Sequence, residues 1–247
     1  HIINTDRSGL FLDMGMGKTV STLSAIVDLF NTFEVSKVLI IAPKLVAEQT
    51  WPEEIKKWDH TKHLSVIPIV GSPAQRTRAL ARQADVYTIG RDNVRWLVET
   101  VGRGGWDFDM IVIDELKSPA SERFKALRKV AFLSYRCVGL TGTPAPNSLM
   151  DLWSQIYLLD QGERLGRTVT QYRSAYFMKN YNGFGYSLVK EFEPIIQNKL
   201  KDICISMSAK DYLDLPERLD AVRTVNLASY ARYEEFKQNE VLKLEDA

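Results

Sequence analysis

The sequence is poor in sulfur and histidine, with two cysteines and three histidines in 247 residues. Cys137 and Cys204 lie far apart, each in an apolar or β-like run. They do not build the disulfide framework of a small secreted domain, and they read as buried thiols in a reducing compartment rather than as a pair. His60 and His63 are too few to make a metal centre with nearby cysteines and read as a polar helix end. No apolar run reaches the roughly 20 residues of a membrane span, and no signal peptide opens the chain. Charge of one sign is also lacking, because 32 Lys and Arg offset 31 Asp and Glu. No global basic field therefore advertises nucleic acid, although a local stripe of Lys and Arg is compatible with a near-neutral protein. Repeats and low-complexity segments are missing too. What remains is ordinary globular material, 45% hydrophobic and 26% charged, long enough for one large α/β domain or one domain and part of another. The opening, His1-Ile2-Ile3-Asn4, has no initiator methionine and runs quickly into a strand, so it reads as a fragment whose natural start lies upstream.

Apolar runs of strand length alternate with helical patterns, the signal for βαβ units and a parallel sheet. The strand candidates are Gly9–Met14, Lys37–Ala42, Ser65–Val70, Asp85–Ile89, Met110–Asp114 and Arg136–Leu140. Several are nearly continuous Val, Ile and Leu, as strands buried on both faces tend to be. Helical patterns occupy Lys18–Phe30, Glu53–Trp58, Pro73–Gln83, Asn93–Val101, Ser121–Phe132 and Ser148–Leu159. The expected fold is α/β, a doubly wound and mostly parallel sheet with helices on both faces, over residues 1–160. A small α+β extension is expected over 161–220: a helix at Thr168–Met178, a hairpin or mobile insertion at Lys179–Lys190, a helix from about Phe192 to Asp202 and a strand at Ile203–Met207. Residues 221–247 read as a lead-in to a further domain.

Three motifs carry chemistry. Asp13-Met14-Gly15-Met16-Gly17-Lys18-Thr19 stands between a predicted strand and a predicted helix. Glycine lets the backbone curl so that successive N–H groups face one anion, and the helix start adds its positive dipole end. Met14, Gly15, Met16 and Gly17 would then cradle phosphates, with Lys18 reaching the β and γ phosphates and the Thr19 hydroxyl on magnesium. Leu12 stands where the general pattern has its first glycine, and a Gly-rich turn that merely caps a helix is the alternative. Asp114 and Glu115 end an apolar strand, on the edge where parallel sheets bind ligands. There Asp114 would hold the magnesium and Glu115 would orient or deprotonate an attacking water; a solvated surface pair is the bland alternative. Thr141, Gly142 and Thr143 emerge from another strand into a Pro-rich turn, positioned either to bond to the acidic pair or simply to cap the next helix.

The order of these motifs resembles superfamily-two helicases, and in particular the Swi/Snf-like DNA translocases. The resemblance rests on Asp13–Thr19, on VLIIAPKLVAEQTWPEEIKKW (Val38–Trp58), on IVIDE (Ile111–Glu115) and on LTGTPAPNSLMDLWSQIYLL (Leu140–Leu159). ICISMSAKDYLDLPE (Ile203–Glu217), with the neighbouring GERLGRTVTQYR, looks most like the phage and prophage branch. The resemblance implies the first of two RecA-like P-loop domains, with ATP and duplex DNA lying across both. It implies that Lys44 contacts the DNA backbone, that Arg91 occupies the place of a second DNA contact whose residues match poorly, and that Thr141, Gly142 and Thr143 couple hydrolysis to domain movement. For Lys44 and Arg91, solvated surface charge is the alternative. The branch implies the cytoplasm of a bacterial host, with no membrane partner. Two departures stand out. Leu116-Lys117 replaces a frequent Ala-His, in a loop that is either shorter than in the relatives or missing residues. The family's adenine-reading glutamine and its arginine finger fall outside this sequence.

The expected activity is therefore ATP hydrolysis coupled to movement on duplex DNA, with the isolated chain nearly inactive. Two other classes compete: a DNA-binding or recruitment module with a vestigial nucleotide site, and a P-loop kinase or small-molecule transferase. The intact Lys18 and Asp114-Glu115 argue against the first, and LTGTPAPN against the second.

Overall fold

The computed structural model describes residues 1–115, 121–142, 149–181 and 185–212. In chain order the first elements are β1 (Arg7–Leu12), α1 (Lys18–Asn31), β2 (Val38–Ala42), α2 (Trp51–Lys57), β3 (Val66–Ile69), α3 (Pro73–Leu80) and β4 (Val86–Gly90). There follow α4 (Val94–Val101), β5 (Met110–Asp114), α5 (Glu122–Leu127), β6 (Arg136–Thr141) and α6 (Leu152–Asp160). The last are α7 (Val169–Tyr176), β7 (Phe177–Lys179), β8 (Tyr186–Leu188), α8 (Glu193–Leu200), β9 (Cys204–Met207) and the short α9 (Ala209–Tyr212).

Seven strands form one parallel sheet in the order β3-β4-β2-β5-β6-β1-β9. Strand residues alternate between two separate cores. Phe11, Leu39, Ile41, Ile111 and Ile113 face one side, where helices α4 to α8 pack. Leu10, Leu12, Val38, Ile40 and Val112 face the other, against Leu23 and Ile26 of α1 and Trp51 and Ile55 of α2. Burial on both faces is why these strands read as unbroken apolar runs rather than as alternating ones. No described helix is long and apolar enough to cross a membrane.

Three differences from the sequence reading matter. The first strand spans Arg7–Leu12 rather than reaching Met14, because Asp13 starts a turn in which the Met16 N–H bonds to the Asp13 carbonyl at 3.3 Å. The sheet also does not end with residue 160: β9 pairs in parallel with β1, placing Gly9 opposite Cys204 and Leu12 opposite Met207. Finally, a π-helical stretch, Val46–Thr50, precedes α2. Its wide turn lets the Trp51 N–H reach the Val46 carbonyl just before Pro52, which has no N–H of its own to give.

The expected hairpin starts earlier than Lys179: α7 ends at Tyr176 rather than Met178, and β7 from Phe177 pairs antiparallel with β8, Lys179 opposite Tyr186. Cys137 and Cys204 are both free thiols. Burial pushes their pKa values up, to about 11 for Cys137 and about 12 for Cys204. No cluster of potential metal-ligating side chains occurs among the described residues, and His60 bonds to the Ser24 hydroxyl at 2.8 Å. Trp51, Trp106 and Trp153 lie in the core.

Candidate nucleotide site

In the parallel sheet every strand ends on the same edge, so the register fixes what meets there. Phe11 of β1 is opposite Thr141 of β6, and Leu140 of β6 is opposite Asp114 of β5. The three motifs, up to 128 residues apart in sequence by their numbers (Asp13 to Thr141), thus emerge from three adjacent strands. A β-carbon on Gly142 would lie 3.5 Å from the Lys18 Nζ and 3.7 Å from the Leu12 carbonyl. Gly142, just past the end of β6, therefore lies in contact distance of the loop. Thr141 is buried; Thr143 and the rest of the Pro-rich turn through Ser148 fall outside the described residues.

The loop itself is shaped by two left-handed glycines, Gly15 at φ 82° and Gly17 at φ 74°. Residues with a β-carbon adopt this region at a cost of roughly 1–2 kcal/mol each. Gly17 caps α1, yet α1 has no side-chain cap and no acidic residue in its first turn. Its leading N–H groups therefore face the loop with no carboxylate or hydroxyl cap to compete for them, the arrangement that favours an anion. Lys18 donates from Nζ to the Leu12 carbonyl at 2.6 Å and the Asp13 carbonyl at 3.1 Å. Met14 is almost fully exposed. The Asp13 carboxylate points away from the loop and accepts the Ala209 N–H at 2.8 Å, tying the loop to the chain after β9.

The acidic pair divides into two environments. Asp114 is half-buried at the end of β5 and accepts from the Trp51 indole N–H at 3.4 Å. Burial pushes its carboxyl pKa above the ordinary value, the Trp51 hydrogen bond pulls it back, the Glu115 charge raises it, and Lys18 and Arg91 lower it. Glu115 is exposed and sits at φ 57°, a left-handed conformation uncommon for a residue with a β-carbon. Its N–H donates to the Leu140 carbonyl at 2.9 Å, so the bent backbone is held by β6.

Lys44 and Arg91 also come together at this edge, because Ala42 of β2 is opposite Gly90 of β4. A β-carbon on Gly90 would lie 3.5 Å from the Lys44 Cα. Lys44 is exposed. The Arg91 Nη1 lies 3.5 Å from the Glu115 carbonyl. The sequence reading missed the residues that hold this corner. Arg76, buried, bonds to the Asn93 side chain, and its guanidinium lies 4.2 Å over the Trp96 ring. Asp92 pairs with Arg123 at 2.8 Å. Trp51 was the other residue missed, and its spacing of 63 residues from Asp114 leaves no local signal.

Residues 3–246 match the family model described as SNF2-related domain. The chain belongs to the SNF2-related family. Protein p41 of Acyrthosiphon pisum secondary endosymbiont phage 1 is 41% identical over 94% of this chain and 53% of its own length. The mouse DNA excision repair protein ERCC-6-like is 32% identical over 64% of this chain and 13% of its own length. Among solved structures, the Sulfolobus solfataricus SWI2/SNF2 ATPase core in complex with dsDNA superposes with a TM-score of 0.67 at 23% identity, covering 82% of this chain and 40% of that one. The same fold is therefore shared, and this SNF2-related chain spans about half the length of the phage relative and less of the others.

Proposed function

We propose that this chain is the ATP-binding half of an ATP-dependent translocase that moves along duplex DNA, working in the cytoplasm of a bacterial host. One observation carries the reading: Lys18, Gly142 and the Asp114-Glu115 pair meet at the ends of three adjacent strands, beside an uncapped helix start. The phosphates of ATP would lie on the first turn of α1, cradled by the backbone from Met14 to Gly17. Lys18 would exchange the Leu12 and Asp13 carbonyls for the β and γ phosphates, a better partner for a cation.

The Thr19 hydroxyl and the Asp114 carboxylate are hard oxygen donors of the kind magnesium takes, and they fit a site beside the phosphates. When bound, magnesium would neutralise charge developing on the phosphate oxygens. Glu115, exposed beside Asp114, would orient the attacking water and accept its proton. Thr141, Gly142 and Thr143 would link the phosphate state to domain movement. Lys44 would contact the DNA backbone, and Arg91, whose guanidinium lies near the Glu115 carbonyl, would make another contact there. A second RecA-like domain of the same protein would supply an arginine finger worth about 10³ to 10⁵ in rate, so the 247 residues alone would hydrolyse ATP very slowly.

The test is ATP hydrolysis by the full-length protein without DNA, with single strands and with duplex. Stimulation by duplex above that by single strands is the expected result. Equal rates in all three contradict the reading.

A further inference from the structure

The balance of charge in this chain is not uniform. From Arg164 to Lys190, 27 residues carry five basic side chains (Arg164, Arg167, Arg173, Lys179 and Lys190) and no Asp or Glu. Among the described residues Arg164 is the one of these five held in ion pairs, to Asp160, Glu163 and Asp202. Lys190 is followed at once by Glu191 and Glu193, which offset it. The uncompensated charge is therefore Arg167 just before α7, Arg173 on α7 and Lys179 on the β7–β8 hairpin.

The hairpin is built to hold that charge outward. Phe177 and Leu188, opposite each other at its base, anchor it to the core. Two residues further out, Lys179 and Tyr186 are opposite partners on that same face, and the Arg173 guanidinium lies 4.4 Å over the Tyr186 ring. The Arg173 Nε is buried without a hydrogen-bond partner, so stacking rather than an acid holds this arginine. Lys179 is exposed, Tyr181 beyond it is fully exposed, and Met178 on the opposite face is 66% exposed. Basic side chains alternating with tyrosine suit a phosphate backbone, where Lys and Arg meet the charge and a tyrosine hydroxyl donates to phosphate oxygen.

The hairpin also stands on the ligand edge of the sheet. α8 feeds β9, which runs parallel to β1, so α8 runs back against the strands and begins at their carboxyl ends. Its far end leads into β9 alongside the amino-terminal half of β1, where the Ile203 carbonyl accepts the Gly9 N–H at 2.8 Å. The hairpin closes just before α8 begins, through the Val189 N–H on the Tyr176 carbonyl at 3.1 Å. The Tyr172 hydroxyl bonds at 2.7 Å to the Leu149 carbonyl, three residues before α6 begins.

We propose that Lys179, Arg173 and Tyr181 of this hairpin form a second contact with the phosphate backbone of duplex DNA, separate from Lys44. The proposal rests on the duplex-binding reading above. It is tested by measuring binding of the whole chain to a fluorescent duplex oligonucleotide across a salt series. The variants are a double change, Lys179→Ser with Tyr181→Ala, and separately Lys44→Ala. Both hairpin positions are exposed, and thermal unfolding of the double variant matching the parent establishes that it folds.

The double variant is expected to bind about fivefold more weakly at low salt, with a log–log salt slope shallower by about 0.9 because one phosphate is no longer neutralised. Unchanged affinity and slope in the double variant, with Lys44→Ala weakened, overturn the hairpin's role and leave the duplex reading standing. Weaker binding with an unchanged slope also overturns it, because the hairpin is then not touching phosphate. No measurable duplex binding by the parent chain contradicts the duplex reading itself. A hairpin that binds another protein instead would leave DNA affinity untouched in the double variant, which again overturns the proposal.

Discussion

The two edges of the sheet are built from similar residues and finished in opposite ways. At the amino edge several strand starts are clasped by side chains, although the Ser8 hydroxyl and the Arg136 Nε are buried there without a hydrogen-bond partner. Asp109 accepts the Ser36 N–H at 2.8 Å, the Ser36 hydroxyl at 2.6 Å and the Lys37 N–H at 3.0 Å. Asp85 does the same for the Ser65 N–H and hydroxyl, both at 2.6 Å. Arg136, buried as β6 begins, donates to the Ile2 and Ile3 carbonyls at 3.0 and 3.1 Å and pairs with Glu34 and Asp6. At the carboxyl edge the helix start is uncapped, Glu115 and two glycines sit at positive φ, and the Asp114 carboxyl is raised by burial. Side chains clasp several strand starts on one edge; the other leaves its helix start uncapped where a ligand would supply the partner. Stability and function are thus separated along the same strands, about 17–20 Å apart for strands of 5–6 residues.

Mutations should respect that division. The largest effect is expected from Lys18→Ala: nucleotide-dependent hydrolysis in the full-length protein falls by at least about 100-fold, while the urea midpoint of this chain moves little. Loss of stability comparable to the loss of activity would break the contrast between the edges. Arg136→Ala should do the reverse, costing about 2–4 kcal/mol in urea unfolding, the lower part of the range because Glu34 and Asp6 are half-exposed. Nucleotide affinity at temperatures where the variant remains folded should be unchanged.

A smaller effect sharpens the comparison further. Asp114 has a folded pKa above its unfolded value, so its contribution to stability is fully present below the unfolded value and is lost as pH rises through the folded one. Asp114→Asn removes that loss. The variant should be as stable as the parent in acid, where Asp114 is protonated, and more stable at neutral pH, while hydrolysis in the full-length protein is abolished. Denaturant unfolding at both pH values checks this. A variant less stable at neutral pH would mean that the Trp51 hydrogen bond outweighs the burial of the charge.

Much of this was legible from local pattern. Parallel strands buried on both faces gave their apolar runs away, and the glycines at 15 and 17 announced the left-handed turns that the loop adopts. What escaped was set by partners far along the chain. Nothing local in Cys204–Met207 says that it pairs with β1 rather than with a neighbour in sequence. Arg91 looked like a surface charge or a DNA contact, and its place beside Glu115 depends on β4 and β5 flanking β2. Nothing local marks Trp51 as more than a buried aromatic, yet its indole N–H donates to Asp114, 63 residues away. The charge asymmetry of residues 164–190 lay in the sequence but was averaged away by a net charge of +1.

The claim that the carboxyl edge is an ATP half-site is tested most directly by calorimetric titration of ATP with magnesium into this chain and its Lys18→Ala variant. A single site in the parent and no measurable binding in the variant are the expected results. Equal binding by both, or none by the parent, would contradict it.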